Sequence, residues 1–304
     1  MFRGVIGLLV GLSVALAASG RAEDEIRRAI DNLLWEWRAG ERTQPKALTQ
    51  AFFDLGQAAS PELCKLLDDR PPDPLPVDSI AAAIGRLGRT DALPTLGRLS
   101  QSEHDGERLA AANALGDMDL LDGLPFLVRA LDDPAVDVAD RAEGLLLASR
   151  QQPKAIVMVL NENTRAARDK VRIGRTLGQI DCKESRQALL RMLESFDEAT
   201  ILGGLQGVWH SGREEDGDVI LRAMREHPTP GIQKQACLAL GKLHVGSAIP
   251  DLIQVLRHPD RGVVANAHWA LREITGLVLK AEPDLWQQWW DRGGSRKANR
   301  GGGP

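Results

Sequence analysis

An all-α repeat array, an α-solenoid of about seven to eight two-helix units, is the fold class that three observations predict. The 304-residue chain is 43% hydrophobic and 26% charged, enough to bury a core. Only 4% of it is aromatic and it has no tyrosine, so its apolar residues are mostly Ala, Leu, Ile and Val. That is material for helices rather than for a large twisted sheet. Third, a short pattern of small and apolar residues returns every 31 residues or so. A two-helix unit of that length cannot bury its apolar stripe alone, and stacked neighbours make one continuous core. The period therefore favours one array over two globular domains.

The N-terminus comes first. Residues 1–22 read as a signal peptide: Arg3 supplies a short positive region, Val5 to Ala18 is uncharged, and Gly20 and Ala22 are small residues before a cut after Ala22. A cut after Ala17 fits as well, and an uncleaved leader would act as an N-terminal membrane anchor. The apolar run is shorter than a comfortable membrane span. The expected location is the periplasm or the extracellular space. Residues 23–75 are expected to form a helical cap and a degenerate repeat. Ile26, Ile30, Leu33, Leu34 and Trp37 lie near one face of a helix over 23–39, and Phe52, Phe53, Leu55, Leu63, Leu66 and Leu67 mark the degenerate pair. Arg70-Pro71-Pro72-Asp73-Pro74-Leu75-Pro76 then breaks the chain.

The regular array is expected over 76–275. Its anchor position falls at Gly85, Gly116, Leu147, Gly178, Trp209, Gly241 and Arg272, and every step is 31 residues except one of 32. Small or apolar residues precede each anchor, as in Ala111-Ala112-Asn113-Ala114-Leu115-Gly116. Pro94, Pro125 and Pro250 follow nine residues after their anchors, where proline suits a helix's first turn. Apolar residues come eleven places after the anchor, at Leu96, Leu127, Met158, Leu189, Ile220 and Leu252. Residues 276–291 form a tryptophan-rich cap with Trp286, Trp289 and Trp290, and 292–304 is a flexible basic tail. Five of the seven tryptophans, Trp35 and Trp37 included, lie at the two ends, where bulky residues cover an open core.

The repeat resembles the HEAT-repeat family, in particular the short bacterial variety found in phycobilisome lyase subunits. The resemblance rests on the Ala-x-Ala-Leu-Gly and Ala-x-x-Pro-x-Leu elements, best seen from Ala111 to Leu131 and from Ala236 to Leu256, and covers about residues 45 to 275. It implies a HEAT/armadillo-like superhelix whose alanine-patterned helices line the concave side. Members of the family are mostly scaffolds and binding modules, and fold does not settle function.

A search for chemistry finds no zinc-protease, Cys-x-x-Cys, nucleophile-elbow or phosphate-loop motif. The six histidines form no His-Glu pair and read as surface residues; Cys64, Cys182 and Cys237 have no metal spacing, and no structural disulfide is expected. Gly203, Gly204 and Gly207 read as helix-packing residues. No catalysis, cofactor or metal is expected. The net charge of −4, carried by an acidic body, and the leader argue against nucleic acid as a partner, and the basic tail alone is short. A monomer is expected, with no membrane span once the leader is cut.

Helical phase locates the surface left for binding. If positions −5, −4 and −1 from each anchor are buried, positions −6, −3 and +1 face outward. The candidate partner-binding residues are then Arg141, Arg172, Arg175, Gln206 and His210 on one ridge, with Trp269 as an exposed aromatic. Arg and Trp are interface-anchoring types. Replacing Arg172 and Arg175 by Glu should weaken partner capture with little change in melting temperature. The function expected is an exported scaffold or adaptor that holds a protein or peptide on its concave face. Two alternatives stand beside it: a lyase-like enzyme or cofactor chaperone, and a structural part of an envelope complex.

Overall fold

The computed structural model describes residues 22–164 and 166–294, so the leader (Ala22 apart) and nearly all of the basic tail lie outside the described residues. Contacts divide the chain between Gln151 and Gln152 into two compact units. The first holds α1 (22–38), α2 (Pro45–Asp54), α3 (Ser60–Asp69), α4 (Val77–Leu87), α5 (Leu93–Leu99), α6 (Asp105–Met118), α7 (Leu124–Ala130) and α8 (Val136–Ala148). The second holds α9 (Pro153–Asn163), α10 (Lys170–Gln179), α11 (Lys183–Leu193), α12 (Glu198–Ser211), α13 (Gly217–Glu226), α14 (Pro230–Lys242), α15 (Ile249–Val255), α16 (Arg261–Thr275) and α17 (Pro283–Trp289). No strand occurs among the described residues. The fold is an all-α solenoid.

Within each unit the even-numbered helices touch along their lengths, α2 to α4 to α6 to α8 and α10 to α12 to α14 to α16, whereas successive odd-numbered helices meet at few points. Small residues permit the close row. A Cβ built on Gly85 would lie 2.7 Å from the Ala114 Cα, and one on Gly241 would lie 2.8 Å from the Ala270 Cα. Positions −5 and −1 are buried in all seven repeats, and −4 in all but that of His268. Position +1 is exposed in every repeat. Position −6 departs from expectation, because Ser79, Ala110 and Gly203 are buried there. Pro94, Pro125 and Pro250 stand in the first turns of α5, α7 and α15, where a missing N–H loses no intrahelical bond.

The register slips once. Met158 was expected in the core, but it is 55% exposed, and Ile156, Val157 and Leu160 are the residues that α9 buries. The end caps also differ from expectation on one side. Trp286 is fully buried and Trp37 half-buried, but Trp35 is 62% exposed. In α1 it is Ile30 and Leu34 that pack inward, and Arg27 grips Glu62 of α3 through two hydrogen bonds of 3.1 and 3.2 Å.

Charged side chains tie successive repeats at spacings of 25–27 residues. Arg108 of α6 reaches Asp133 just before α8 (2.7 Å), Lys170 of α10 reaches Asp197 at the N-cap of α12 (2.7 Å), and Lys234 of α14 reaches Asp260 at the N-cap of α16 (3.0 Å). Each aspartate serves twice, since Asp197 also accepts the Thr200 N–H and Asp260 the N–H groups of Gly262 and Val263. The Arg108–Asp133 pair is largely buried, whereas Lys234–Asp260 is open to solvent on both sides, and a solvent-exposed pair of that kind contributes about 0–1 kcal/mol, so its larger effect is on register.

Candidate binding groove

In the first unit, α2, α4, α6 and α8 enclose a groove of about 620 Å³. Small residues, Ser79 and Ala82 of α4 and Ala110 of α6, form its floor, and Gly106 and Leu109 of α6 line it as well. Its charged rim comes from Lys46 of α2, Asp78 and Arg86 of α4, Asp117 of α6 and Arg141 of α8. Arg86 and Asp117 occupy position +1 of consecutive repeats, the position that helical phase turns outward.

Both guanidiniums are positioned by neighbours other than Asp117. That of Arg86 lies over the Phe53 ring, 4.2 Å from its centroid. Arg141 donates through Nε to the Asn113 Oδ1 at 2.5 Å. Asp117 stands on the helix between them. Burial in the groove pushes its carboxyl above the ordinary range, and the charges of Arg141 and Arg86 oppose that shift. Among the described residues no guanidinium comes within salt-bridge distance of Asp117. The result is a carboxylate flanked by two pre-placed cations with room left between them, an arrangement suited to a charged, hydrogen-bonding ligand.

Of the candidate residues, Arg141 alone belongs to this groove; Arg172, Arg175, Gln206, His210 and Trp269 lie in the second unit. Arg172 is not turned outward as expected. Its side chain is only 11% exposed and folds back toward Asp169, the N-cap of α10, at 3.5 Å. The reason is its place in the first helical turn, where the capping carboxylate is near. Arg175 and Gln206 are half-buried and His210 is exposed. The His210 ring stands edge-on to Trp209 at 4.9 Å, and the Lys242 ammonium lies 3.9 Å from the Trp209 ring centre and donates to the Trp209 carbonyl. Trp269 is 36% exposed, with one edge of its indole laid against Gly241. The glycine cluster of α12 packs as expected: Gly203 faces α10 at Lys170 and Gly207 faces it at Gly174.

Sequence reasoning placed Arg86, Asn113 and Asp117 among outward positions but did not single them out. The signal available was the pair of opposite charges at position +1 of adjacent repeats. Phe53 and the Asn113–Arg141 bond are tertiary facts that no spacing announces. Among the described residues, no grouping of three or more His, Cys, Asp or Glu could hold a metal ion. The three cysteines are free thiols; Cys237 is fully buried, which pushes its thiol up to about 12, so it behaves as a small apolar residue.

Comparison with known proteins agrees with this architecture. The profile of HEAT repeats matches residues 60–147 and 217–296, more than half of the chain. No curated protein is significantly similar in sequence. Among solved structures, an engineered protein is 21% identical, with a TM-score of 0.37 over 75% of this chain and 70% of its own. Human deoxyhypusine hydroxylase, solved in complex with glycerol, is 18% identical, with a TM-score of 0.34 over 87% of this chain and 100% of its own. A designed armadillo repeat protein is 16% identical, with a TM-score of 0.29 over 70% of this chain and 99% of its own. By its repeats and by the extent of the profile match, the chain belongs to the HEAT-repeat family.

Proposed function

We propose that the chain is an exported scaffold without catalysis that binds a protein or peptide partner on the face of its even-numbered helices, with the groove of the first unit as the principal contact. The observation that carries this reading is the placement of Arg86 and Arg141 around Asp117 above a floor of small residues. Guanidiniums already held by Phe53 and Asn113 lose little rotamer freedom on binding, so contact energy is not spent on ordering them. Both arginines are exposed on the groove's rim, and arginine is a residue type that anchors interfaces. Export is supported by the leader-like residues 1–22, and among the described residues no helix is long and apolar enough to cross a membrane.

Affinity capture from an envelope extract tests the binding reading, using the full chain and its Arg86→Gln/Arg141→Gln variant as parallel baits. At least one captured protein should fall by about tenfold with the variant while the thermal transition stays in place. Identical capture by the two baits would overturn it. N-terminal sequencing of the chain recovered from producing cells tests export, with Glu23 or Ala18 expected as the first residue. A chain starting at its initiator region in the cytosolic fraction would reject it.

A further inference from the structure

The groove's charge pattern restricts what can occupy it. Three cations (Lys46, Arg86, Arg141) and two carboxylates (Asp78, Asp117) line it, a local excess of one positive charge in a chain of net charge −4. A monoanion neutralises that excess, whereas a dianionic phosphate would bring two negative charges up to Asp117 in a partly desolvated place. A carboxylate is planar and matches the guanidinium fork in two-point contacts. Asp117 adds a second requirement. It lies between the two cations, can only accept hydrogen bonds when ionised, and repels a bare anion. The occupant must therefore present an N–H donor close beside its carboxylate. A glutamate side chain holds its carboxylate several bonds from the nearest backbone N–H. A chain terminus carries its carboxylate and the N–H of the same residue on one Cα. The groove's volume lies within the range of sites that enclose small ligands and has room for a short peptide end.

We infer that the groove of the first unit captures the C-terminal carboxylate of a partner polypeptide, with Arg86 and Arg141 on the carboxylate and Asp117 accepting the N–H of the last residue. This rests on the binding role proposed above and names the chemistry of that same site. Ala82 and Ala110, on the floor, leave space for the terminal side chain. The test uses a pool of octapeptides prepared in two forms, free acid and C-terminal amide, mixed in equal amounts and passed over the immobilised full chain at about pH 7 and about 0.15 M salt. Mass spectrometry reads the ratio of the two forms retained. The free acids should be enriched by about tenfold over the amides. The Arg86→Gln/Arg141→Gln variant should bring that ratio to about one, and Asp117→Asn should keep it above one, because both guanidiniums remain. Equal retention of acids and amides by the natural chain overturns the inference, as does an enrichment that survives loss of both arginines or no retention of either form. In each of these cases the capture of folded partners still decides the binding role separately, since a surface that needs no free terminus loses its partner in the Arg86→Gln/Arg141→Gln bait all the same.

Discussion

Gly174 of α10 faces Gly203 of α12 backbone to backbone, so a Cβ placed on residue 174 would overlap the Gly203 carbonyl group. The two helices approach so closely because each offers only a hydrogen there, and dispersion contacts between the two backbones replace side-chain packing. Gly178 repeats the relationship one turn on, against Gly207. Gly174→Ala is therefore expected to destabilise the second unit by about 3 kcal/mol, because neither backbone can yield without moving its helix. Gly116 differs. A Cβ there meets the methyl groups of Leu145, the far end of a flexible side chain. Gly116→Ala should fall within about 1 kcal/mol of the natural chain, since alanine's helix propensity offsets the repacking. Gly116→Leu should cost about 1–3 kcal/mol by overpacking. Denaturant titrations of the three variants check the order, and equal midpoints for Gly174→Ala and Gly116→Ala would contradict it.

Arg172 changes what a charge-reversal experiment means. Its side chain is recessed against the Asp169 carboxylate at the start of α10. Arg172→Glu would set two carboxylates together in a crowded place, with an expected loss of about 2 kcal/mol or more. Arg175→Glu, at a half-buried site, should cost less. A lowered melting temperature, in place of an unchanged one, is therefore expected for the first residue. Separate melting curves for the single variants check this, with the larger drop at Arg172→Glu.

The periodic part of the fold was legible because burial of one helix face imposes small or apolar residues at the same phase in every unit. Ile80, Ala111, Ala142, Ile173, Gly204, Ala236 and Ala267 all sit at position −5 and are all buried. The slip at Met158 was not legible, because α9 compensates within its own length by burying Ile156 and Val157 instead. The groove was half legible. Helical phase turned Arg86 and Asp117 outward, but their partners come from elsewhere in sequence, with Phe53 33 residues before Arg86 and Asn113 28 residues before Arg141. The repeat-to-repeat ion pairs were missed for the same reason: Lys170–Asp197 and Lys234–Asp260 run from one helix to the cap of the next across an intervening helix and two loops.

Those ion pairs carry an acid sensitivity with a definite sign. The Lys170 ammonium first, and then the Thr200 hydroxyl and N–H, hold the Asp197 carboxyl down to about 2. Lys234 and the N–H groups of Val263 and Gly262 hold Asp260 below the ordinary range, and in the first unit Arg70 and Ser102 do the same for Glu107. A carboxyl whose pKa is lower in the folded state stabilises fully above its unfolded value, about 4, and loses that contribution as pH falls toward the folded value. The melting temperature should be level from about pH 7 to 5 and drop between about pH 4 and 2. Asp197→Asn keeps an N-cap but loses the ion pair, so it should melt lower at neutral pH and lose less on acidification. An acid limb equally steep in the variant would remove Asp197 from the explanation.

Trp286 closes the C-terminal end of the second unit, and its contribution separates packing from mere bulk. The indole is fully buried, its N–H donates to the Lys280 carbonyl at 2.9 Å, and it meets His268 and Trp289 edge-on at 6.3 and 6.0 Å. His268 is itself held by a 2.7 Å hydrogen bond from Nε2 to the Leu279 carbonyl. Two ring donors thus fasten the segment between α16 and α17, and edge-to-face contacts link the rings. Trp286→Ala should cost about 3–5 kcal/mol, the range for emptying a buried aromatic site. Trp286→Phe keeps most of the volume but leaves the Lys280 carbonyl without its donor, so a loss of about 1–3 kcal/mol is expected. Trp35, exposed on α1, supplies the control: Trp35→Ala should change stability by no more than about 0.5 kcal/mol. If Trp286→Phe matched Trp286→Ala, the hydrogen bond rather than the buried ring would hold the cap; if Trp286→Ala matched Trp35→Ala, residue 286 would have no capping role.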